Sequence, residues 1–440
     1  MTSDLTPAAG ARPGGGADPV YVWVWLPGAI APVVAGVLAV ANGLVQGQPV
    51  LAFRYASSYR ARPGAISLYT PELPLSDAVF DPRRAPRREP LALAGCLRDA
   101  APDAWGRRVM NLLLASSPDI ELSEAAYLLG SGSDRIGALD FQAAPDRYVP
   151  RDEVATLEQL LQVAELVEAG AALPPSLLAA AQHGTSIGGA RPKALLTDGD
   201  RQLIAKFSSS TDSRPVVKAE GVAMVLAARV GLSVPAVQLR RVAGKDVLIV
   251  ERFDRVPTTE AGGTPVAGRR LMVSALTVLG VSEMNSRYSS YAELAETIRT
   301  GPWRQVPGTL RELYSRLVFN VCIGNNDDHL RNHAAFWDGS TLELTPAYDL
   351  APQMRSTNTS SQAIGITRDG ARASQLRLCR EVAAEFLLAS VEADAIIDHI
   401  VSTIRDQWDE ACDQVFLTST ERAELMGREF LNPYIEYPNP

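Results

Sequence analysis

The feature that most constrains this chain is the polar run at residues 324–332, which is followed by an aspartate at position 349. Asp327 and Asn332 are five residues apart, and Asp349 comes after a short apolar pattern that predicts a strand. Kinase-type phosphoryl transfer uses this order, with one carboxylate as the base and an Asn and a second Asp holding Mg²⁺. The alternative is a plain turn or helix cap, because these side chains satisfy free backbone donors. The catalytic interpretation therefore requires a nucleotide-binding half upstream.

Such a half is indicated by residues 185–207. Gly188 and Gly189 lie in a turn that precedes two short apolar runs joined by an Asp-Gly pair, a pattern that predicts a β-hairpin. Glycines there let backbone N–H groups approach phosphate oxygens closely. Lys206, on the second predicted strand, lies where a lysine reaches the α- and β-phosphates. The turn alone indicates little, but the turn, hairpin and lysine in this order indicate a nucleotide site.

Two further elements follow in the order expected of a kinase. The spacing of apolar residues predicts a helix over 217–230, with Glu220 near its start. Glu220 either pairs with Lys206 or only interacts with the helix dipole, and both interpretations stay open. Residues 247–250 predict a buried strand that leads into Glu251 and Phe253, where a hinge would present backbone groups to adenine.

Several motifs together resemble a known family. They are S-I-G-G-A-R-P-K at 186–193, I-A-K-F at 204–207, E-R-F-D-R at 251–255, N-D-D-H-L-R-N at 326–332 and L-T-P-A-Y-D-L at 344–350, with F-R-Y at 53–55, L-R-D-A-A-P-D-A-W-G-R-R at 97–108 and D-R-I-G-A-L at 134–139. This set is similar to the HipA family of serine/threonine kinase toxins. The resemblance implies an α+β, two-lobed protein-kinase-like fold with a small β-rich N-terminal subdomain and a mainly helical C-lobe.

The resemblance also implies an activity and partners. ATP and Mg²⁺ are the expected cofactors, and the γ-phosphate is expected to pass to a serine or threonine of a protein. In characterised members the acceptor is an aminoacyl-tRNA synthetase, so translation and growth are inhibited. The expected partner is a HipB-like helix-turn-helix antitoxin, and DNA is contacted only through the complex with it.

The roles of individual residues are carried over from the same motifs. Asp327 matches the catalytic base, and Asn332 and Asp349 match the magnesium ligands. The implied ATP-binding residues are Ser186, Gly188, Gly189, Lys206, Glu251, Phe253, His329 and Arg331. His329 is assigned to bracing the catalytic loop rather than to catalysis. Ser186 is the implied autophosphorylation site, since a phosphoserine adds about two negative charges where an anionic nucleotide should bind; a simple turn hydroxyl is the alternative.

The chain departs from the family pattern at three positions. Arg191 stands where the family usually has Gln, and Arg331 stands where it has Lys; arginine binds phosphate as a planar fork rather than a point charge. Asp328 replaces a small residue beside Asp327. On sequence alone either carboxylate could be the base, and Asp327 is preferred because only it has the five-residue offset to Asn332.

The predicted organisation has five parts. These are a disordered leader at 1–18, an N-terminal subdomain at 19–145, an N-lobe at 146–258, a helical C-lobe at 259–432 and an irregular tail at 433–440. Helical patterns cover 151–182, 310–323 and 374–431.

Residues 20–41 are uncharged and long enough to span a membrane, but β-prone residues and the Pro27-Gly28 pair favour strand, turn and strand. The four cysteines lack metal-ligand spacing and are typical of a reducing cytoplasm.

Charge limits the possible partners. A net charge of −8 disfavours unaided binding to DNA, because that affinity comes from neutralising phosphates. Arg83, Arg84, Arg87 and Arg88 form a local exception, either as a solvated surface or as a contact to DNA or the antitoxin. Two other functions fit the sequence less well. A kinase of small-molecule hydroxyls, like aminoglycoside phosphotransferases, lacks the motifs at 97–108 and 134–139, and a non-catalytic corepressor would not need the complete catalytic set.

Overall fold

The computed structural model describes residues 19–115, 120–151, 155–183, 191–209, 212–259, 265–354 and 359–437. The chain forms two compact units, each built from segments that are not contiguous in sequence. The first unit comprises Met1–Ser209, Arg252–Val273 and Phe336–Ser340, and the second comprises Ser210–Glu251, Ser274–Ala335 and Thr341–Pro440. The predicted leader and the residues Ser186, Gly188 and Gly189 lie outside the described ranges, and the five-part division stays a prediction.

The strands of the described ranges are numbered in chain order. They are β1 (Val20–Val24), β2 (Val33–Val45), β3 (Gln48–Tyr55), β4 (Val79–Phe80), β5 (Leu139–Gln142), β6 (Lys193–Asp198), β7 (Arg201–Phe207), β8 (Val237–Val242), β9 (Lys245–Glu251), β10 (Arg255–Thr259), β11 (Pro265–Arg269), β12 (Met272–Ser274), β13 (Ala334–Trp337) and β14 (Leu342–Leu344).

The α-helices are numbered in the same way. They are α1 (Ser57–Arg60), α2 (Gly95–Arg98), α3 (Ala104–Ala115), α4 (Glu124–Gly130), α5 (Leu157–Glu168), α6 (Leu178–His183), α7 (Val216–Arg229), α8 (Ala275–Leu279), α9 (Tyr291–Thr300), α10 (Val306–Ile323), α11 (Leu376–Val382), α12 (Ser390–Asp406), α13 (Trp408–Gln414) and α14 (Ser419–Leu425).

The uncharged N-terminal segment forms sheet, as its pattern predicts. β1 pairs with β2 in antiparallel register, and the sheet order is β4-β3-β2-β1-β5. Gly28 supplies a positive φ of 76° in the turn between the first two strands, a conformation that glycine adopts without a Cβ clash. None of the helices in the described ranges is long and apolar enough to cross a membrane.

Two helical predictions need correction. The helix predicted over 151–182 is two helices. α5 begins at Leu157, after a capping box of Thr156 and Gln159, and ends at Glu168; Gly170, with a φ of 64°, and Pro174 and Pro175 separate it from α6. The tail predicted to be irregular contains a 3₁₀ helix at Pro433–Glu436, where the Asn432 side chain accepts a 3.0 Å hydrogen bond from the Tyr434 N–H. In both segments local turn and capping residues decide the structure, although the composition of the whole segment predicted otherwise.

The predicted nucleotide hairpin and the helices around the catalytic loop are confirmed as elements. β6 and β7 pair antiparallel around Gly199, and Lys193 lies directly opposite Lys206. α7 covers the helix predicted at 217–230, and α10 covers the one predicted at 310–323. The residues of α10 from Leu317 to Ile323 are all buried in the core of the second unit, which also holds α9 and α12. α10 therefore gives the residues that follow it a rigid base.

Gly324, at the C-terminal end of α10, makes a close backbone approach. Its φ is 68°, and a Cβ added there would lie 2.8 Å from the carbonyl oxygen of Glu429. We expect Gly324→Ala to destabilise the protein by about 1–2 kcal/mol for the left-handed backbone and by a further 1–3 kcal/mol, roughly, for the clash. Urea denaturation measures the sum.

Gly231→Ala is the matched control for this prediction. Gly231 follows α7 in the same unit with a φ of 86°, but a Cβ there would meet nothing within 4 Å. It should therefore show the backbone cost alone. Equal losses in the two variants would mean that Glu429 moves aside freely.

Candidate active site

The predicted catalytic loop follows α10 without a break. Residues 325–329 are irregular, Leu330–Asn332 form one 3₁₀ turn, and β13 begins at Ala334. The Asn332 N–H donates to the carbonyl of His329 at 2.8 Å, and the Asn332 side-chain amide nitrogen donates to the carbonyl of Asp327 at 3.4 Å. Because the nitrogen is used in this way, the oxygen Oδ1 of Asn332 is the atom suited to a cation.

The structure distinguishes the two neighbouring aspartates of this loop. Asp327 is exposed, whereas Asp328 is only 2% exposed. Oδ2 of Asp328 accepts a hydrogen bond from the Tyr291 hydroxyl and lies 3.0 Å from Nε2 of His333. A buried carboxylate with two partners serves the fold, because leaving it unpaired would be costly. This favours Asp327 as the base, a role that stays a prediction.

The electrostatics of Asp327 connect it to Asp349. Partial burial of its carboxyl group raises the pKa of Asp327, the nearby Asp349 raises it further, and His329 lowers it. Two carboxylates that repel each other in this way form a local negative potential. Such a potential favours a divalent cation, which would offset the repulsion.

Asp349 has an unusual backbone. Its φ of 59° places a residue with a side chain in the left-handed region. The Asp349 carbonyl accepts a 2.9 Å hydrogen bond from the Ala351 N–H and a 3.5 Å hydrogen bond from Nδ2 of the buried Asn325. The Gln353 N–H donates to the carbonyl of Gly324 at 3.1 Å. Strain of this kind persists where surrounding contacts hold it, and it is concentrated at functional sites.

The donor set of this site fits magnesium better than a transition metal. Within the described ranges no group of three or more His, Cys, Asp and Glu side chains could hold a metal ion. The candidates Asn332 and Asp349 offer only oxygen ligands, and Mg²⁺ in nucleotide enzymes takes the rest of its shell from phosphates and water. The residues therefore fit Mg²⁺ bound together with a nucleotide, not a closed metal cage.

The predicted nucleotide residues of the first unit are only partly described. Lys206 is half-buried on β7, and its cross-strand neighbour Lys193 lies with Nζ 3.7 Å from Oδ2 of Asp103. Asp103 belongs to the 97–108 motif, which thereby supports the start of β6. Glu220 lies buried on α7 in the second unit, so its pairing with Lys206 stays a prediction.

The predicted hinge motif at 251–255 has a second role that sequence reasoning missed. Arg252 and Arg255 both pair with Asp254 at 2.8 Å and with Asp134, at 3.0 and 2.5 Å respectively. The Gly137 N–H donates to Asp254 at 2.8 Å. We call Asp134, Arg252, Asp254 and Arg255 the buried ion cluster of the first unit. It joins the 134–139 and 251–255 motifs, while the nucleotide roles of Glu251 and Phe253 stay predictions.

The buried ion cluster makes stability depend on pH. Burial alone raises the pKa of Asp254, but the charges of Arg252 and Arg255 outweigh it and lower the pKa to about 2. A carboxyl whose pKa is lowered in the folded state stabilises that state above its ordinary pKa, and this contribution disappears as the pH falls through about 2. We expect Asp254 to contribute a loss of about 2 kcal/mol between pH 4 and pH 2. Urea denaturation at a series of pH values measures it, and Asp254→Asn, which cannot titrate, should show a shallower fall.

The two remaining loop residues, Arg331 and His329, are both half-buried. The Arg331 guanidinium pairs with Glu283, and the Arg331 carbonyl accepts a 2.5 Å hydrogen bond from the Tyr348 hydroxyl. Nδ1 of His329 is buried and has no hydrogen-bond partner among the described residues. Phosphate binding by Arg331 and the bracing role of His329 stay predictions. The histidine that contacts a side chain of this loop is His333, whose Nε2 lies 3.0 Å from Oδ2 of Asp328. The sequence did not predict this role.

The arginine-rich loop is not uniformly available to a partner. Arg87 forms a buried pair with Glu72, and Arg83 pairs with Asp81 at 2.5 Å. Arg83, Arg84 and Arg88 are exposed, so only Arg87 is withdrawn from the surface. Any contact of this loop with DNA or an antitoxin would therefore involve fewer than the four arginines that the sequence suggests.

Known proteins share this sequence and fold. The sequence model of the HipA-like C-terminal domain matches residues 185–408. A protein of Sinorhizobium fredii, named as a candidate kinase, Y4mE, is 31% identical over 309 residues, which cover 63% of this chain and 68% of that protein. The structure of Shewanella oneidensis MR-1 HipA, solved with HipB and operator DNA, matches with a TM-score of 0.66 at 19% identity and covers 95% of this chain and 100% of that one.

These comparisons confirm the predicted fold class. The match over nearly the whole chain shows an α+β, two-lobed protein-kinase-like fold of the HipA type. The sequence model covers just over half of the chain and includes the catalytic loop and Asp349. The protein therefore belongs to the HipA family, through its HipA-like C-terminal domain.

Proposed function

We propose that this protein is a HipA-type kinase that transfers the γ-phosphate of ATP to a serine or threonine hydroxyl of a protein. The proposal rests on the interactions among Asp327, Asn332 and Asp349 in the second unit. Asp349 raises the pKa of Asp327, and the side chain of Asn332 bonds to the backbone of Asp327. A carboxylate base and two oxygen ligands for Mg²⁺ are the groups that this reaction requires.

Each residue has a distinct task in the proposed reaction. Asp327 accepts the proton of the acceptor hydroxyl as that oxygen attacks the γ-phosphorus, and the bond from the γ-phosphorus to the β–γ bridging oxygen breaks, so that ADP leaves. Asn332 and Asp349 hold Mg²⁺, and Lys206 binds the α- and β-phosphates. The metal supplies neutralisation of phosphate charge, while the protein supplies position and the base.

The cellular role is proposed by analogy with the family. A HipB-like helix-turn-helix antitoxin is the proposed partner, because the HipA of the matching structure was solved with HipB and operator DNA. The chain's net charge of −8 agrees with DNA contact through that partner rather than alone. The proposed acceptor is an aminoacyl-tRNA synthetase in the cytoplasm, with Ser186 as the autophosphorylation site.

The direct test is incubation of the purified protein with γ-labelled ATP, Mg²⁺ and a cell extract. Phosphopeptides are then identified by mass spectrometry, with the Asp327→Asn variant as the matched control. We expect label on a protein hydroxyl only with the wild type. Label on a small alcohol would instead support a kinase of small-molecule hydroxyls. Operator binding together with a HipB-like antitoxin, but without phosphoryl transfer, would support the corepressor function.

The metal role of Asp349 gives a further prediction. Asp349→Asn is the informative variant, because asparagine tolerates the φ of 59° better than alanine does. Loss of the carboxylate should lower activity at millimolar Mg²⁺ by about 100-fold or more, with partial recovery as the Mg²⁺ concentration is raised. Initial rates across a Mg²⁺ titration measure this. A rate and Mg²⁺ dependence equal to those of the wild type would remove Asp349 from the metal site.

A further inference from the structure

We propose that Tyr291 is a positioning residue that couples the placement of Asp327 to that of Asp349. The inference rests on the proposed function for its kinetic meaning, but its structural basis is independent of it. Tyr291 begins α9, lies outside every motif of the sequence, and is fully buried at 0% exposure. Its hydroxyl bonds to the carboxylate of Asp328 and to the amide of Asn320. The first is next to the candidate base, and the second is linked to the candidate metal ligand.

Tyr291 holds the residue next to the candidate base, Asp327. Its hydroxyl donates to Oδ2 of Asp328, the residue that directly follows Asp327. His333 approaches the same oxygen at 3.0 Å, and its ring packs edge-on against the Tyr291 ring with centroids 5.4 Å apart. The backbone of His333 is itself fixed, since its carbonyl accepts a 2.8 Å hydrogen bond from the Ala275 N–H. Asp328 is therefore held from inside the unit, and Asp327 extends from a fixed neighbour.

Tyr291 is also linked, through two buried asparagines, to the candidate metal ligand Asp349. Nδ2 of Asn320 donates to the Tyr291 hydroxyl at 3.4 Å, and Nδ2 of Asn325 donates to Oδ1 of Asn320 at 3.0 Å. The same Asn325 nitrogen lies 3.5 Å from the carbonyl oxygen of Asp349. Asn320 and Asn325 are each 1% exposed, so water does not compete for these bonds. The strained backbone of Asp349 thus has a buried polar support.

The hydroxyl of Tyr291 joins the two sides into one hydrogen-bonded series. Hydrogen bonds in a buried series strengthen one another, and the bonds from Asp328 through Tyr291, Asn320 and Asn325 to Asp349 form such a series. A shift of either end would strain a hydrogen bond of this series. The separation between the base and the metal ligand is therefore set by a residue that touches neither the nucleotide nor the acceptor. Misplacement of reacting groups by about 1 Å costs up to about 100-fold in rate, so such a link matters for catalysis.

Tyr291→Phe removes the link and keeps the ring. Its matched control is Tyr314→Phe, because Tyr314 is also 0% exposed in the same unit and its hydroxyl makes a 3.1 Å hydrogen bond to the carbonyl of Cys379. Both variants lose a buried phenolic hydroxyl, which makes two hydrogen bonds at Tyr291 and one at Tyr314, so both should lower Tm. Only Tyr291→Phe is expected to lower kcat, by about tenfold, and to raise the Mg²⁺ concentration for half-maximal rate while KM for ATP stays unchanged.

A second measurement does not depend on activity. Amide hydrogen exchange should become faster at both 325–332 and 348–351 in Tyr291→Phe, and at neither segment in Tyr314→Phe. Unchanged exchange, or faster exchange at only one end, would overturn the coupling, as would equal kcat in the two variants of an active enzyme. If both segments respond but the wild type transfers no phosphate from ATP, the coupling holds and the proposed kinase function fails.

Discussion

Asp327→Asn is expected to lower the rate of phosphoryl transfer by about 10²–10⁴ while the protein stays folded. Asp327 is exposed, so the loss of its charge removes a base without leaving a buried group unpaired. The reaction then retains the positioning of ATP and metal but lacks a proton acceptor. Initial rates with labelled ATP measure the loss, and a thermal melt establishes that folding is intact.

The neighbouring aspartate is the control for this prediction. Asp328→Asn replaces a buried carboxylate that has Tyr291 and His333 as partners, so it should lower Tm as well as activity. We therefore expect Asp327→Asn to lower the transfer rate with little change in Tm, and Asp328→Asn to lower both. Full transfer by Asp327→Asn, together with an inactive but fully stable Asp328→Asn, would reverse the assignment of the base.

Arg252→Met is expected to destabilise the protein by about 3–5 kcal/mol, the largest stability effect that we predict. Arg252 is 4% exposed and pairs with both Asp134 and Asp254. Methionine fills similar volume but leaves the buried carboxylate of Asp254 and the half-buried carboxylate of Asp134 with less positive charge around them. Chemical denaturation of the wild type and the variant gives the difference.

Arg368→Met is the corresponding surface variant. Arg368 also pairs with two carboxylates, Glu296 and Glu385, but nearly half of its side chain is exposed to water. Solvent screens such pairs, so its replacement should change stability very little. Similar losses in the two variants would show that burial does not decide the strength of the ion cluster.

The elements around the site could be predicted because their signals are local. The hairpin β6–β7 follows from an Asp-Gly turn between apolar runs, and α7 follows from apolar spacing that ends at Gly231. The spacing of Asp327, Asn332 and Asp349 lies within one short stretch of chain. Periodicity and turn chemistry act over a few residues, so the sequence displays them directly.

The supports of the site could not be predicted, because they join distant positions. Tyr291 and Asp328 are 37 residues apart, and Asp134 and Arg255 are 121 residues apart. No local pattern identifies which polar side chain will meet which. One available signal was Asn320, a polar residue within the apolar run of α10, whose burial requires a partner.

The first unit also constrains how the protein is made. It is completed by Arg252–Val273 and Phe336–Ser340, which are synthesised after segments of the second unit. Domains usually fold as they leave the ribosome, from the N-terminus onward. In this protein the carboxylate of Asp134 lacks its two arginine partners until Arg252 and Arg255 have emerged. A nascent chain arrested before position 252 should accordingly be sensitive to protease, and chaperones should engage it until its later segments arrive.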